Sequence, residues 1–343
     1  MENVNVFHIR LREARKMMHL TMQQLSDGTG GLVSKQSISY YEQGRVAPKA
    51  SAIAALAKVL DISESYLRGG GAALDEPSLR TSIGTREISE ADLSAIKARI
   101  SFWSERYFIA ERRAKLSQME CLPEQELVSK PSVLPIQHQL IATTKDAICA
   151  ADDMRQAWDI GDGPIPSILR LFERKGIKVM SDTLPDVVWG LSTWASSRHP
   201  LVILDMREAK TTVERLRFTA VHELGHLIFD FPEGMEQKQR EKLCDTFAGS
   251  FLFPRTTMIE EMGTSIRTKV FLEELIDLKE LYGISVAALV HNLYDYSIIT
   301  RQQYDWWYNE IIKKNLLEDG WGRYEFPETL GREKRVRMIS EYK

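Results

Sequence analysis

The sequence predicts two domains of different class, an all-α domain followed by an α+β domain, joined by a helical connector. Three observations carry this. The chain has 343 residues, more than a single hydrophobic core usually organises. Residues 6–68 show short helical patterns separated by polar turns, with no alternating strand signal. After residue 138, helical patterns alternate with short apolar, β-branched runs, which is how helices flanking a small mixed sheet read.

Composition narrows the class without naming a function. A hydrophobic share of 43% and a charged share of 27% exclude a disordered or collagen-like chain. The first residues, MENVNVFHIRLREARK, lack an apolar signal core, and no run approaches the roughly 18–20 apolar residues that span a bilayer. A cytoplasmic protein with no membrane contact is therefore expected. Cys121, Cys149 and Cys244 show no CxxC spacing, which fits free thiols in a reducing compartment and leaves no cysteine zinc site. Residues 1–71 hold nine Lys/Arg against six Asp/Glu, while the remainder holds 36 against 42. A mildly basic N-terminal unit tolerates polyanions better than the acidic body does.

In the first domain, helices are expected at residues 6–18, 21–27, 35–43, 51–60 and 64–68. Thr21, Ser34 and Ser63 stand where N-caps belong, and Gly44 and Gly69 where helices end. "GGGAALDEPSLRTSIGTREISE", residues 69–90, reads as a linker. A helix then runs from 89 to about 118. Its residues Leu93, Ile96, Ile100, Trp103, Tyr107, Ala110 and Ala114 repeat at three-four spacing, suited to pairing with a second copy or to packing on the chain's own domain. The expected domains are 1–70, a connector over 71–137, and 138–343 with a helical extension at its C-terminal end.

In the second domain, a helix is expected from His138 to Trp158. After the "GDGPIP" loop another follows over 165–174, opened by Pro164. Strands are expected at 177–180, 187–191 and 201–204.

The stretch that carries chemistry is "TAVHELGHLIFD", residues 219–230. Residues 211–229 hold no Gly or Pro before Gly225, open with Thr211 and Glu214 at capping-box spacing, and keep a helical period. At about 100° per residue, Val213, Leu216, Ala220, Leu224 and Leu227 form an apolar stripe, and His222, Glu223 and His226 lie off it. Histidines one turn apart can converge on one ion. A zinc hydrolase needs two neutral imidazoles, a third ligand and a carboxylate base. "REKLCDTFAGSFLFP", residues 240–254, offers Glu241 as third ligand and, one turn on, Asp245 to accept the remaining N–H of a ligating histidine. Glu233 and Glu236 in the intervening "DFPEGMEQ" loop are rivals for the third position.

"RFTAVHELGHLIFD" followed by "EKLCDTFAGSFLFP" resembles the ImmA/IrrE family of metallo-endopeptidases, with "GDGPIPSILRLFERKGIKV", "VVWGLS" and "PLVILD" in the same style and order. The resemblance spans roughly 138–300. It implies a minimal thermolysin-like (zincin) fold holding Zn2+ through His222, His226 and Glu241, with Glu223 as base. Cys244 and Asp245 depart from a usual Ala-Asn pair. Asp can still do what Asn does there, and Cys244 reads as a packed residue or as a thiol beside the metal.

"TMQQLSDGTGGLVSKQSISYYEQGR" has the layout of two helices joined by a Gly-rich turn and resembles the lambda-repressor-like XRE helix-turn-helix family. Lys35, Gln36, Ser37 and Tyr40 would face a DNA major groove, and Ile38 and Tyr41 the core. Met22 replaces the family's usual glutamine, and the segment from Leu25 to Ser34 is about two residues longer than usual.

Three functions compete. The chain would be a DNA-bound zinc endopeptidase cleaving a regulatory protein such as a repressor, a transcriptional regulator whose peptidase-like domain senses a ligand, or a regulator with structural zinc. A structural site has no use for Glu223, which favours the first. One helix-turn-helix per chain implies a homodimer on a two-fold operator. Strand 201–204 is the expected support for an extended substrate, and His291, Tyr294 and His199 are the candidates for stabilising an oxyanion.

Overall fold

The computed structural model describes residues 6–70, 74–75, 78–81, 88–113 and 134–341. The first domain contains α1 (Phe7–Met17), α2 (Met22–Gly28), α3 (Lys35–Glu42), α4 (Ala50–Leu60) and α5 (Glu64–Leu67). The three expected caps are made. Thr21, Ser34 and Ser63 accept the backbone N–H groups of Gln24, Ser37 and Tyr66, satisfying donors that a helix start leaves open. Leu11, Leu25, Ile38, Leu56 and Tyr66 close the core. Arg15 grips Glu42 through two bonds of 2.6 and 2.8 Å, tying α1 to the end of α3.

Helix α6 (Glu90–Arg113) belongs to both domains. Phe102 completes the first core, and the Tyr66 hydroxyl donates to the Ala98 carbonyl at 3.0 Å. Arg99 reaches Glu13, and Arg106 and Arg113 reach Asp61. On its other side Ile96, Ile100, Trp103 and Tyr107 pack on one face of the sheet. The seam suited to self-pairing is thus buried within the chain. Burying Trp103 and Tyr107 there contributes about 2 kcal/mol each, which a helix paired with its copy would have to forgo. The expected run of this helix to 118, with Ala114, lies outside the described residues.

The sheet contains β1 (Ser78–Thr81), β3 (Lys178–Ser181), β4 (Val188–Ala195) and β5 (His199–Leu204) in the order β1-β4-β5-β3, with β3 and β5 parallel and the other pairs antiparallel. Alternation divides its faces. Leu201 and Ile203 turn to α6, while Val202 and Leu204 turn to the main core. Two expectations change here. The segment 69–90, read as a linker, supplies β1. Strand β5, expected to support a substrate, lies between β4 and β3 and has no open edge.

The main core surrounds α7 (Thr144–Trp158), α8 (Ile168–Arg174), α9 (Val213–Ile228), α10 (Gln237–Leu252), α11 (Arg255–Met262), α12 (Leu272–Tyr282) and α13 (Val286–Asp295), with α14 (Arg301–Trp306) and α15 (Arg332–Glu341) following. The helix expected from His138 begins only at Thr144, capped by Thr143. The residues before it form β2 (Gln139–Leu140), which pairs with β6 (Phe229–Asp230) at the end of α9. Likewise α8 starts at Ile168 with Ser167 as cap, since Pro164 and Pro166 belong to the preceding loop. The C-terminal extension is strapped on by buried charge. Glu328 accepts from the Arg217 guanidinium at 2.6 Å and from the N–H groups of Ile168 and Leu169, and Glu214 accepts from Tyr324 N. Among the described residues no helix is long and apolar enough to cross a membrane.

Candidate metal centre

Helix α9 starts one residue later than its sequence suggests, because Thr212 rather than Thr211 accepts the N–H of the third helical residue, Arg215. It is also buried on nearly every side, from Glu214 to Ile228, and not along one stripe. The sheet covers one face, α10 another, and the extension grips its first turns. His222 and Glu223 are therefore enclosed as well, at 1% and 0% exposure.

Two glycines set how closely the layers meet. A Cβ on Gly225 would come 3.3 Å from both Cys244 Sγ and a Phe247 ring carbon, and one on Gly190 would come 2.7 Å from Thr219 Cγ2. The first lets α10 lie close to α9 beside the histidines, and the second lets β4 lie close on the other side.

Across that approach the side chains converge. Glu241 Oε2 is 3.0 Å from His222 Nε2, Glu241 Oε1 is 3.4 Å from His226 Nε2, and the two Nε2 atoms are 3.1 Å apart. Two donors each about 2.1 Å from one tetrahedral ion sit about 3.4 Å from each other, so this triad is spaced as a zinc ligand set requires. Among the described residues, His222, His226 and Glu241 are the group whose ligand atoms lie within 4.8 Å of one another. Glu233 and Glu236 are outside it, exposed in the loop before α10.

The surroundings orient these groups. Asp245 Oδ1 is 2.8 Å from His222 Nδ1. With the proton on Nδ1, the lone pair of Nε2 faces Glu241 and the other histidine. Burial would raise the Glu241 carboxyl, but His222 and His226, when their Nε2 atoms carry protons in the metal-free chain, outweigh it and hold that carboxyl well below its usual range. Gln237 Nε2 also donates to Glu241 Oε1. Glu223 is fixed from the sheet, where the Ser192 hydroxyl on β4 donates to its Oε2 at 2.6 Å. Nothing in the local pattern around Ser192 marks it in advance. Cys244 is fully buried beside the His226 side chain, and burial pushes its thiol up. It is packed and beside the histidine at once.

Of the oxyanion candidates, His199 packs at a tilt against Phe108, with ring centroids 4.7 Å apart, on the α6 face of the sheet and away from Glu223. His291 and Tyr294 lie on α13, around Tyr304, with Asp245 within electrostatic reach of His291. In the first domain, Lys35, Gln36 and Tyr40 are exposed on α3, Ser37 is half-buried, Ile38 is buried and Tyr41 packs edge-on to Phe7. Gln36 Nε2 donates to the Tyr40 hydroxyl at 3.0 Å.

A helix-turn-helix unit coupled through one helix to an α+β domain with this donor set defines a class: regulatory DNA-binding proteins that carry a metallopeptidase-like domain. Family models agree on both parts, helix-turn-helix matching residues 11–67 and the IrrE N-terminal-like domain matching residues 172–294. The second match takes in β3, β4, β5, α9, α10 and α13, and with them every residue of the triad. Comparison with curated proteins and with solved structures gives no match.

Proposed function

We propose that the chain is a DNA-binding, zinc-dependent endopeptidase that cleaves a regulatory protein, such as a repressor, to control gene expression. The observation that carries the reading is the buried Glu223 carboxylate, held by Ser192 beside a triad spaced for zinc. A site needed only for folding has no use for a base at that position. Bound zinc would be held by His222, His226 and Glu241 and would supply Lewis-acid polarisation and water activation. Asp245 keeps the His222 proton on Nδ1. Glu223 takes the proton of the attacking water on Oε1, the oxygen that Ser192 does not engage, and passes it to the leaving amine nitrogen. Lys35, Gln36, Ser37 and Tyr40 would read the operator.

One observation favours the second reading, a regulator that senses a ligand and cleaves little. β4, the strand nearest Glu223, is paired on both edges, with Ser78 of β1 opposite Ser192 and Leu74 bridged to Ala195. An extended substrate can add to β4 only where Leu74 and β1 give way. The two readings separate on cleavage. Zinc-loaded chain incubated with the proteins encoded beside its gene is expected to cut one of them, and Glu223→Gln to slow this by about 100-fold or more, the scale of a lost general base. Equal product from both forms would remove Glu223 as base, and no product from the native chain would leave the sensor.

A further inference from the structure

We propose that the junction of α8 and α15 is a binding site for a small phosphorylated anion of about mononucleotide size. A cavity of about 330 Å³ opens there, lined by Arg170, Glu173, Arg174, Arg332 and Arg335. That volume is at the lower end of small-molecule sites. Among the described residues, four guanidiniums thus line one space with a single carboxylate.

That carboxylate is already committed. Glu173 is buried and accepts the backbone N–H groups of Gly331 at 3.0 Å and Arg332 at 2.8 Å, which fixes the start of α15. Arg170 and Arg332 have work within the chain as well. Arg170 pairs with Glu173 at 3.5 Å and donates to Thr329 Oγ1 at 3.2 Å, while Arg332 reaches Glu111 at 3.5 Å and lies within electrostatic reach of Tyr107. Arg332 Nε is nevertheless buried with no acceptor.

Arg174 and Arg335 differ. Both are exposed, and neither side chain has an ion pair or hydrogen bond among the described residues. The fold therefore brings together two arginines that no described residue engages, next to two that are engaged. Like charges around one cavity repel unless an anion enters. Planar, multi-donor guanidiniums match the geometry of phosphate oxygens, and more than one of them calls for more than one negative charge.

An occupant would be felt at a distance. Arg332 pairs with Glu111 on α6, the helix whose Phe102 completes the helix-turn-helix core. Ligand drawn to Arg332 thus bears on the element that both domains share. The site is separate from the metal triad, and the proposal stands whether or not the chain is a peptidase.

The test is calorimetric titration of the zinc-loaded full chain with inorganic pyrophosphate and, separately, with adenosine 5′-monophosphate, for the native chain and for Arg174→Ala/Arg335→Ala. Both arginines are exposed and, among the described residues, unpaired, so the variant should keep its far-UV circular dichroism. One probe is expected to bind at 1:1 and to weaken by about tenfold or more in the variant, the scale for lost hydrogen bonds to a charged group. Tighter pyrophosphate assigns the site to a bare phosphate, and tighter nucleotide to a phosphorylated metabolite with a base. Equal affinity in native and variant chains would put the anion elsewhere, the metal centre included, and overturn the proposal. So would absence of binding by both probes, or loss in the variant of random-sequence duplex binding alone, which would make the patch a nucleic-acid contact.

Discussion

Replacing Asp245 isolates what the hydrogen bond behind the metal-facing nitrogen is worth. The 2.8 Å bond to His222 Nδ1 joins a carboxylate to an imidazole that is itself 1% exposed, so the ring has little freedom except through this partner. The carboxylate is 44% exposed, and water screens part of the interaction. Partners of this kind contribute about 10- to 100-fold in metal affinity, equivalent to about 1.4–2.7 kcal/mol. Screening puts Asp245→Ala near the lower end, at about tenfold weaker zinc binding. Asp245→Asn keeps an acceptor oxygen and fixes the same tautomer, so it should lose only about threefold or less. Competition for zinc against a chromophoric chelator at fixed pH measures both. Native-like affinity in Asp245→Ala would refute the orienting role, and an equal loss in the two variants would mean that charge, not tautomer, is what Asp245 supplies.

Other consequences follow from the same contacts. Glu241→Ala should bind well under one equivalent of zinc by elemental analysis, and full occupancy would remove Glu241 from the ligand set. Gly225→Ala pushes a methyl to 3.3 Å from the Cys244 and Phe247 side chains, which must give by a few tenths of an ångström in a packed layer; a loss of about 1–3 kcal/mol in denaturant unfolding is expected, with zinc affinity falling too. Lys35→Ala with Gln36→Ala should abolish operator preference while leaving unfolding unchanged, because both side chains are exposed and Ile38 carries the packing. Binding of the native chain should weaken steeply as salt rises. Unchanged sequence preference in the double variant at matched salt would dismiss α3 as the reader.

What was legible in the sequence is what depends on neighbours along the chain. The caps at Thr21, Ser34 and Ser63 are contacts over three residues, and the helices of the first domain fell within one or two residues of where such signals place them. The triad was legible because His222 and His226 share one helical turn and Glu241 and Asp245 another. Contacts between distant segments were not. β1 pairs with a strand more than a hundred residues away, and nothing in SLRT separates it from a linker. Ser192 gains meaning only when β4 lies over α9. The α6 pattern fixed an apolar face but not what covers it, and the fold used it to join two domains. For α9 the period of its strongest hydrophobes suggested one buried stripe, while Glu214 and Arg217 are buried too, because Tyr324 N and Glu328 satisfy them.

The most direct test of the account is the Glu223→Gln chain in cells, read by mass spectrometry of newly formed protein N-termini alongside expression of the controlled genes. Glutamine keeps the size and the Ser192 contact, so zinc content and DNA binding should match the native chain. The account predicts that a cleaved regulatory protein and derepression are seen with native chain and that both are lost in the variant. Normal derepression in the variant, with the same N-termini as native, would contradict it and leave a regulator that works without proteolysis.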